Sequence, residues 1–239
     1  MSTEHILSAY DDDLERIQGL MLRMGGLVEA ALHDGMTALE QGDLELAAKV
    51  KVGDMAIDSL EEKIRHEVER IIALRSPAAR DLRTVLSVLT MASALERCGD
   101  YARNIAKRTF VLEEFQYSSS MNGTLRRMSR LVEVMLADAL DAYVNRDQAK
   151  AEDVIERDLE VDQIYNSLFR ELLTHMMEDP RTIAPAMHLH FIAKNIERVG
   201  DHATNLSEQA IYLITGAFPS DERPKQDVVS VNLSELRDG

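Results

Sequence analysis

The chain has 239 residues, 45% of them hydrophobic and 29% charged, which excludes a disordered polymer and leaves room for one large or two small packed domains. Its 42 acidic and 27 basic residues give a net charge of -15, and no Lys/Arg run is visible, which argues against a nucleic-acid partner. The single Cys98 cannot form an internal disulfide, and no stretch approaches the roughly 18 uninterrupted apolar residues of a membrane span, so no direct membrane insertion is expected.

The opening residues, MSTEHILSAYDDDLERI, are acidic where a secretory leader is basic and then apolar, and the expected compartment is the cytoplasm. Few turn formers (11 Gly and 5 Pro) and many Leu, Ala, Glu, Met and Arg predict long helices with short connections. The first helix is expected over 5–41, closing at Gly42-Asp43. The second runs 44–75 and the third 78–116, separated by Ser76-Pro77. A linker follows at Ser118-Ser119-Ser120 and Asn122-Gly123. The fourth helix covers 122–145, the fifth 148–178 after Asn145-Arg146-Asp147, and the sixth 182–215 after Asp179-Pro180. Ser76 and Asp179 read as N-caps with proline at the first helical position. Pro185 predicts a late start or a kink in the sixth helix. Residues 219–239 carry no helical stripe and read as a flexible tail. With no alternating strand-like run, the fold class is all-α.

The chain repeats itself. Residues 96–109, ERCGDYARNIAKRT, match residues 197–210, ERVGDHATNLSEQA, with the same Glu, Arg, Gly, Asp, Ala and Asn. Upstream, QGDLELAAKVKVGDMAID (41–58) matches NRDQAKAEDVIERDLEVD (145–162), pairing Asp43 with Asp147, Asp54 with Asp158 and Asp58 with Asp162. Two tandem three-helix bundles follow, over 5–116 and 122–215. In the third helix Val88, Met91, Leu95, Cys98, Ala102 and Ile105 recur at three- and four-residue steps, as do Leu189, Ile192, Ile196, Val199, Ala203 and Leu206 in the sixth. Cys98 therefore reads as a small buried apolar residue, and the methionines as gap-fillers. Leu82, Val85, Leu86 and Leu89 add a second apolar side, which needs the other bundle or a second subunit against it.

The chemistry lies in the carboxylates. Glu96 and Asp100 share one helix face, Asp54 and Asp58 flank an apolar stripe, and neighbouring helices can bring the pairs to one groove. Asp158, Asp162, Glu197 and Asp201 repeat the pattern. Two carboxylates at ~6 Å repel by roughly 0.7 kcal/mol in water and nearer 3 at an effective dielectric of about 20. Raised pKa values, the neighbouring Arg97 and Arg198, or a bound cation would relieve this. Spacing alone leaves two readings level: a solvated acidic face, or an oxygen-only site suited to magnesium, calcium, manganese or iron rather than zinc or copper.

The duplicated E-R-x-G-D-x-A-x-N blocks at 96–104 and 197–205, the upstream D-x-x-x-D pairs, and Pro77 followed by Asp81-Leu82-Arg83 resemble the PhoU family over residues 5–215. The resemblance implies two three-helix bundles, homodimerisation, and divalent or trivalent metal clusters held by Asp54/Asp58 with Glu96/Asp100 and by Asp158/Asp162 with Glu197/Asp201. It further implies a negative regulator of the phosphate-starvation response and of Pst phosphate uptake, linking a PstB-type transporter ATPase to a PhoR-type sensor histidine kinase. The copies depart from each other at Tyr101, where the second has His202 beside Asp201; His202 reads as a surface histidine. The rival function is a carboxylate-bridged di-iron enzyme, which uses Glu three residues before His on two helices. No histidine here has Glu at that position. Nor is there a G-x-S-x-G nucleophile motif. A scaffold that binds no metal is the remaining alternative.

Overall fold

The computed structural model describes residues 3–113, 115 and 119–219. The expected tail beyond Pro219 and the linker residue Ser118 lie outside the described residues. Six helices follow one another: α1 (Thr3–Gln41), α2 (Leu44–Arg75), α3 (Arg80–Leu112), α4 (Ser119–Asn145), α5 (Gln148–Glu178) and α6 (Ile183–Thr215), with a single 3-10 turn at Pro180–Thr182 before α6. There is no strand among the described residues. None of these helices is long and apolar enough to cross a membrane.

The turns before α2 and α5 are built alike. Asp43 accepts a hydrogen bond from Leu46 N at 2.9 Å, and Asp147 accepts one from Lys150 N at 3.0 Å. Each satisfies an amide that the first helical turn leaves without an acceptor. Just before them Gly42 and Arg146 both adopt left-handed backbone, with φ 66° and 52°. The turns into α3 and α6, expected to match, do not. Asp179 caps as expected, accepting from Arg181 N at 3.0 Å with Pro180 at the start of the 3-10 turn. Ser76 instead closes α2 in a left-handed conformation, its N–H donating to Ile72 O, and α3 begins only at Arg80 after Ala79 at φ 51°. A proline just past a helix end stops that helix as readily as it starts the next.

Two further boundaries differ from expectation. Pro185 causes no kink, because it sits in the first turn of α6, where a missing N–H costs little. Asn122-Gly123 lies inside α4 rather than in a linker. Those residues cost about 1 kcal/mol each or less within a helix. The buried stripe of Met121, Leu125, Met128 and Val132 offsets that several times over, at roughly 1.5–3 kcal/mol per large side chain.

Within each half the three helices pack on one another, and the halves join through α3 against α6 and α1 against α4. All twelve stripe residues of α3 and α6 are buried, Cys98 completely, and burial pushes its thiol pKa upward. Met21, Met24, Met91 and Met128 fill the core without any exposed surface. Helix α3 packs against α6, but of its second apolar side only Val85 is buried; Leu82 and Leu89 are half-buried and Leu86 is exposed, so the other half covers that side only in part. Helices α3 and α6 run antiparallel: Arg83, early in α3, lies over the ring of Tyr212 late in α6, while Arg108, late in α3, lies over Phe191 early in α6. Most buried side chains of both halves form one continuous core, with two small satellite clusters around Val50 and Ile211.

Candidate functional site

Asp54 stands in the buried stripe of α2, between Val50 and Ile57, and is only 4% exposed. Its neighbour across the groove is the bare backbone of Gly99 on α3. A Cβ there would fall 2.9 Å from Ile57 Cδ1 and 3.4 Å from Asp54 Oδ1. The second half repeats this, with a Cβ on Gly200 lying 3.3 Å from Asp158 Oδ1 and 3.5 Å from Val161 Cγ1. The glycine of each E-R-x-G-D block thus lets a carboxylate of the preceding helix press against it. Glu96 and Asp100 sit half-buried beside Asp54, and Asp58 is exposed at the rim. Asp158, Asp162 and Asp201 are half-buried, and Glu197 is 9% exposed.

The carboxylates of each group feel one another. Burial raises the Asp58 pKa, Asp54 and Asp100 add to the rise, and Arg103 opposes it. Glu96 is likewise raised, first by burial, then by Asp100, with smaller additions from Asp58 and Glu61. In the second group burial lifts Glu197 most; Asp201 and Asp162 lift it further, against the pull of Lys194. Asp54, Asp58, Glu96 and Asp100 thus lie within electrostatic reach of one another, as Glu197 does of Asp162 and Asp201. Among the described residues, however, no three His, Cys, Asp or Glu groups are gathered closely enough to hold a metal ion as they stand.

Two cations that the repeat pattern does not reveal stand among these carboxylates. Arg103 Nη1 donates to Asp54 Oδ2 in a short ion pair, and its Nη2 lies 2.6 Å from Asp100 Oδ1, so one guanidinium bridges α2 and α3. Lys194 Nζ donates to Glu197 Oε1 at 2.6 Å. Of the expected neutralisers, Arg97 acts on Glu96, whose pKa it pulls down against burial. Arg97 Nε lies 3.7 Å from Glu96 Oε2, and Arg198 lies over the Tyr101 ring at 5.7 Å. Arg103 was legible in principle, standing three residues after Asp100 on one face, but its counterpart in the repeat is Thr204.

Whether such groups suit a metal turns on two atoms. Asp54 Oδ1 and Glu197 Oε2 are buried and accept no hydrogen bond. A buried carboxylate oxygen without a donor is costly, and a cation would satisfy it. The donors are all oxygens, the set hard cations prefer. In charge and donor type the residues fit, provided Arg103 and Lys194 give way.

The histidines lie outside these groups. His202 stacks on Tyr101 in the seam between α3 and α6, ring centroids 5.7 Å apart, rather than on the surface as expected. Its Nδ1 is buried without a partner, and burial lowers its pKa. His188 contacts Arg108 at 2.7 Å, whereas His190 turns to Tyr165, Phe169 and Phe191.

The PhoU domain model matches residues 21–109 and 125–210. A phosphate-specific transport system accessory protein PhoU homolog of Caulobacter vibrioides is 45% identical over 228 residues, covering 95% of this chain and 99% of its own length. One from Rhizobium meliloti is 45% identical over 230 residues, 96% of this chain and 97% of its own. The crystal structure of PhoU from Pseudomonas aeruginosa superposes with a TM-score of 0.84 at 38% identity, covering 87% of this chain and all of that one. The phosphate transport system regulatory protein PhoU from Streptococcus pneumoniae superposes at 0.81 with 31% identity, over 88% and 99% of the respective chains. With the model matched twice, once to each three-helix half, this chain belongs to the PhoU family.

Proposed function

We propose that the chain is an accessory protein of a phosphate-specific transport system, and a negative regulator of phosphate uptake and of the phosphate-starvation response. The observation that carries this reading is likeness to proteins of that name along nearly the whole length of both partners. It works by contact rather than by catalysis, as a cytoplasmic, homodimeric adaptor between a PstB-type ATPase and a PhoR-type sensor histidine kinase. Thiol chemistry finds no support, since the single cysteine, Cys98, is sealed in the core with no exposed surface for a substrate to reach. Deleting the chain from its host should raise expression from a phosphate-starvation promoter in phosphate-rich medium. An unchanged reporter would count against the regulatory role.

The adaptor's acidic groups are read as cation sites for iron, manganese, magnesium or calcium. Asp54, Asp58, Glu96 and Asp100 would hold the first ion, and Asp158, Asp162, Glu197 and Asp201 the second. A bound ion supplies counter-charge that draws α2 to α3 and α5 to α6, fixing the surface offered to partners. Changing Asp100→Ala together with Asp201→Ala should lower metal content after purification while helical content holds. Full metal retention by that double variant refutes the ligand assignment.

A further inference from the structure

We propose that Arg103 is a built-in counter-ion that competes with a metal ion for the first acidic group. The proposal rests on the cation-site reading above. Its observation is the difference between the copies. Arg103 spans two helices, joining Asp54 of α2 to Asp100 of α3. Its counterpart Thr204 is buried and donates to Gly200 O within α6 at 3.2 Å, so it reaches no carboxylate. The second group draws its cation from Lys194, whose counterpart Ser93 carries no charge. Lys194 and Glu197 belong to the same helix, and Lys194 reaches α5 by lying over the Tyr165 ring at 5.2 Å.

A planar guanidinium forked between two carboxylates is a stronger and more directional neutraliser than an ammonium on one. It also takes the position a metal shared by α2 and α3 would need. The fork is nonetheless incomplete. Asp54 Oδ1 and Arg103 Nε are both buried and without partners, so the ion pair leaves one acceptor and one donor unsatisfied. The Arg103 side chain is 28% exposed, which leaves its long stem a path into solvent. A cation that meets both Asp54 oxygens while Arg103 swings outward removes both defects at once. Metal must displace an inter-helix clamp in the first half.

The test is a manganese titration of the full-length chain, with unbound Mn2+ read by electron paramagnetic resonance. An Asp162→Asn, Asp201→Asn background isolates the first group. In it Arg103→Met should bind Mn2+ about tenfold more tightly than the parent, the effect of releasing one charge-assisted pair. Arg103→Lys, which keeps the charge but loses the fork, should fall between. In chelator Arg103→Met should melt below its parent and recover on adding Mn2+. Unchanged or weaker binding by a helical Arg103→Met overturns the proposal, and if that variant does not fold, unchanged binding by Arg103→Lys does so. The unaltered chain separates the two levels. Mn2+ uptake there, with no response to Arg103 variants, sinks the counter-ion idea alone, whereas no uptake by any form sinks the cation-site reading beneath it.

Discussion

Asp13 shows how much an individual charge can contribute away from the acidic groups. It is 3% exposed on α1, with Arg70 Nη2 at 2.5 Å and Arg75 Nε at 3.1 Å from α2. Burial alone would raise its pKa, but the hydrogen bonds from Arg70 and Arg75 outweigh that and hold the carboxyl below its usual range. A depressed folded pKa stabilises fully above the unfolded value near ~3.9 and is lost as pH falls through the folded one. Asp13→Ala should therefore cost about 2 kcal/mol at neutral pH in urea unfolding. The gap to the unaltered chain should shrink in acid below about pH 4. Nothing in the repeat pointed to Asp13, nor to Arg103 or Lys194. Comparing two copies reveals what they share, such as the eight carboxylates. A counter-charge supplied from a different position in each half leaves no shared letter. The repeat names the acids, while Arg103 and Lys194 beside them emerge only in three dimensions.

At the scale of elements, five of the six helices were legible to within three residues at each end, because periodic apolar residues and Asp caps dictate them. The third was the exception, closing at Leu112 where 116 was expected. The pre-proline turns were harder. Ser76-Pro77 and Asp179-Pro180 look equivalent in sequence, yet only the aspartate caps the turn that its proline opens. The paired turns before α2 and α5 offer a cleaner comparison. Gly42 adopts its left-handed backbone without steric cost, while Arg146 holds φ 52° with a Cβ that resists it. Gly42→Ala should lower stability by about 1 kcal/mol, and Arg146→Gly should raise it by a few tenths to about 1. Urea midpoints at an unchanged slope would measure both. A loss on Arg146→Gly would mean that the arginine side chain contributes more than its backbone costs.

For the whole molecule, the consequence of one continuous core is cooperativity. The boundary between the repeats is visible in sequence, but it is not a boundary in packing, since α3 and α6 contribute stripe residues to the same interior. Calorimetry should show a single transition for the full chain. Residues 1–116 alone would bare the sides of α1 and α3 that α4 and α6 cover, and should self-associate or stay loosely packed. Two separate transitions, or a monomeric folded fragment, would contradict this. Across the seam each joining helix meets its own counterpart: α1 meets α4, α3 meets α6, and Tyr101 stacks on its equivalent His202. That is the geometry of a self-complementary pair of identical subunits, here covalently fused. Identical subunits must change every position twice. Once fused, each side mutates alone, so one gene can carry Arg103 opposite Thr204 and Lys194 opposite Ser93 within a single scaffold.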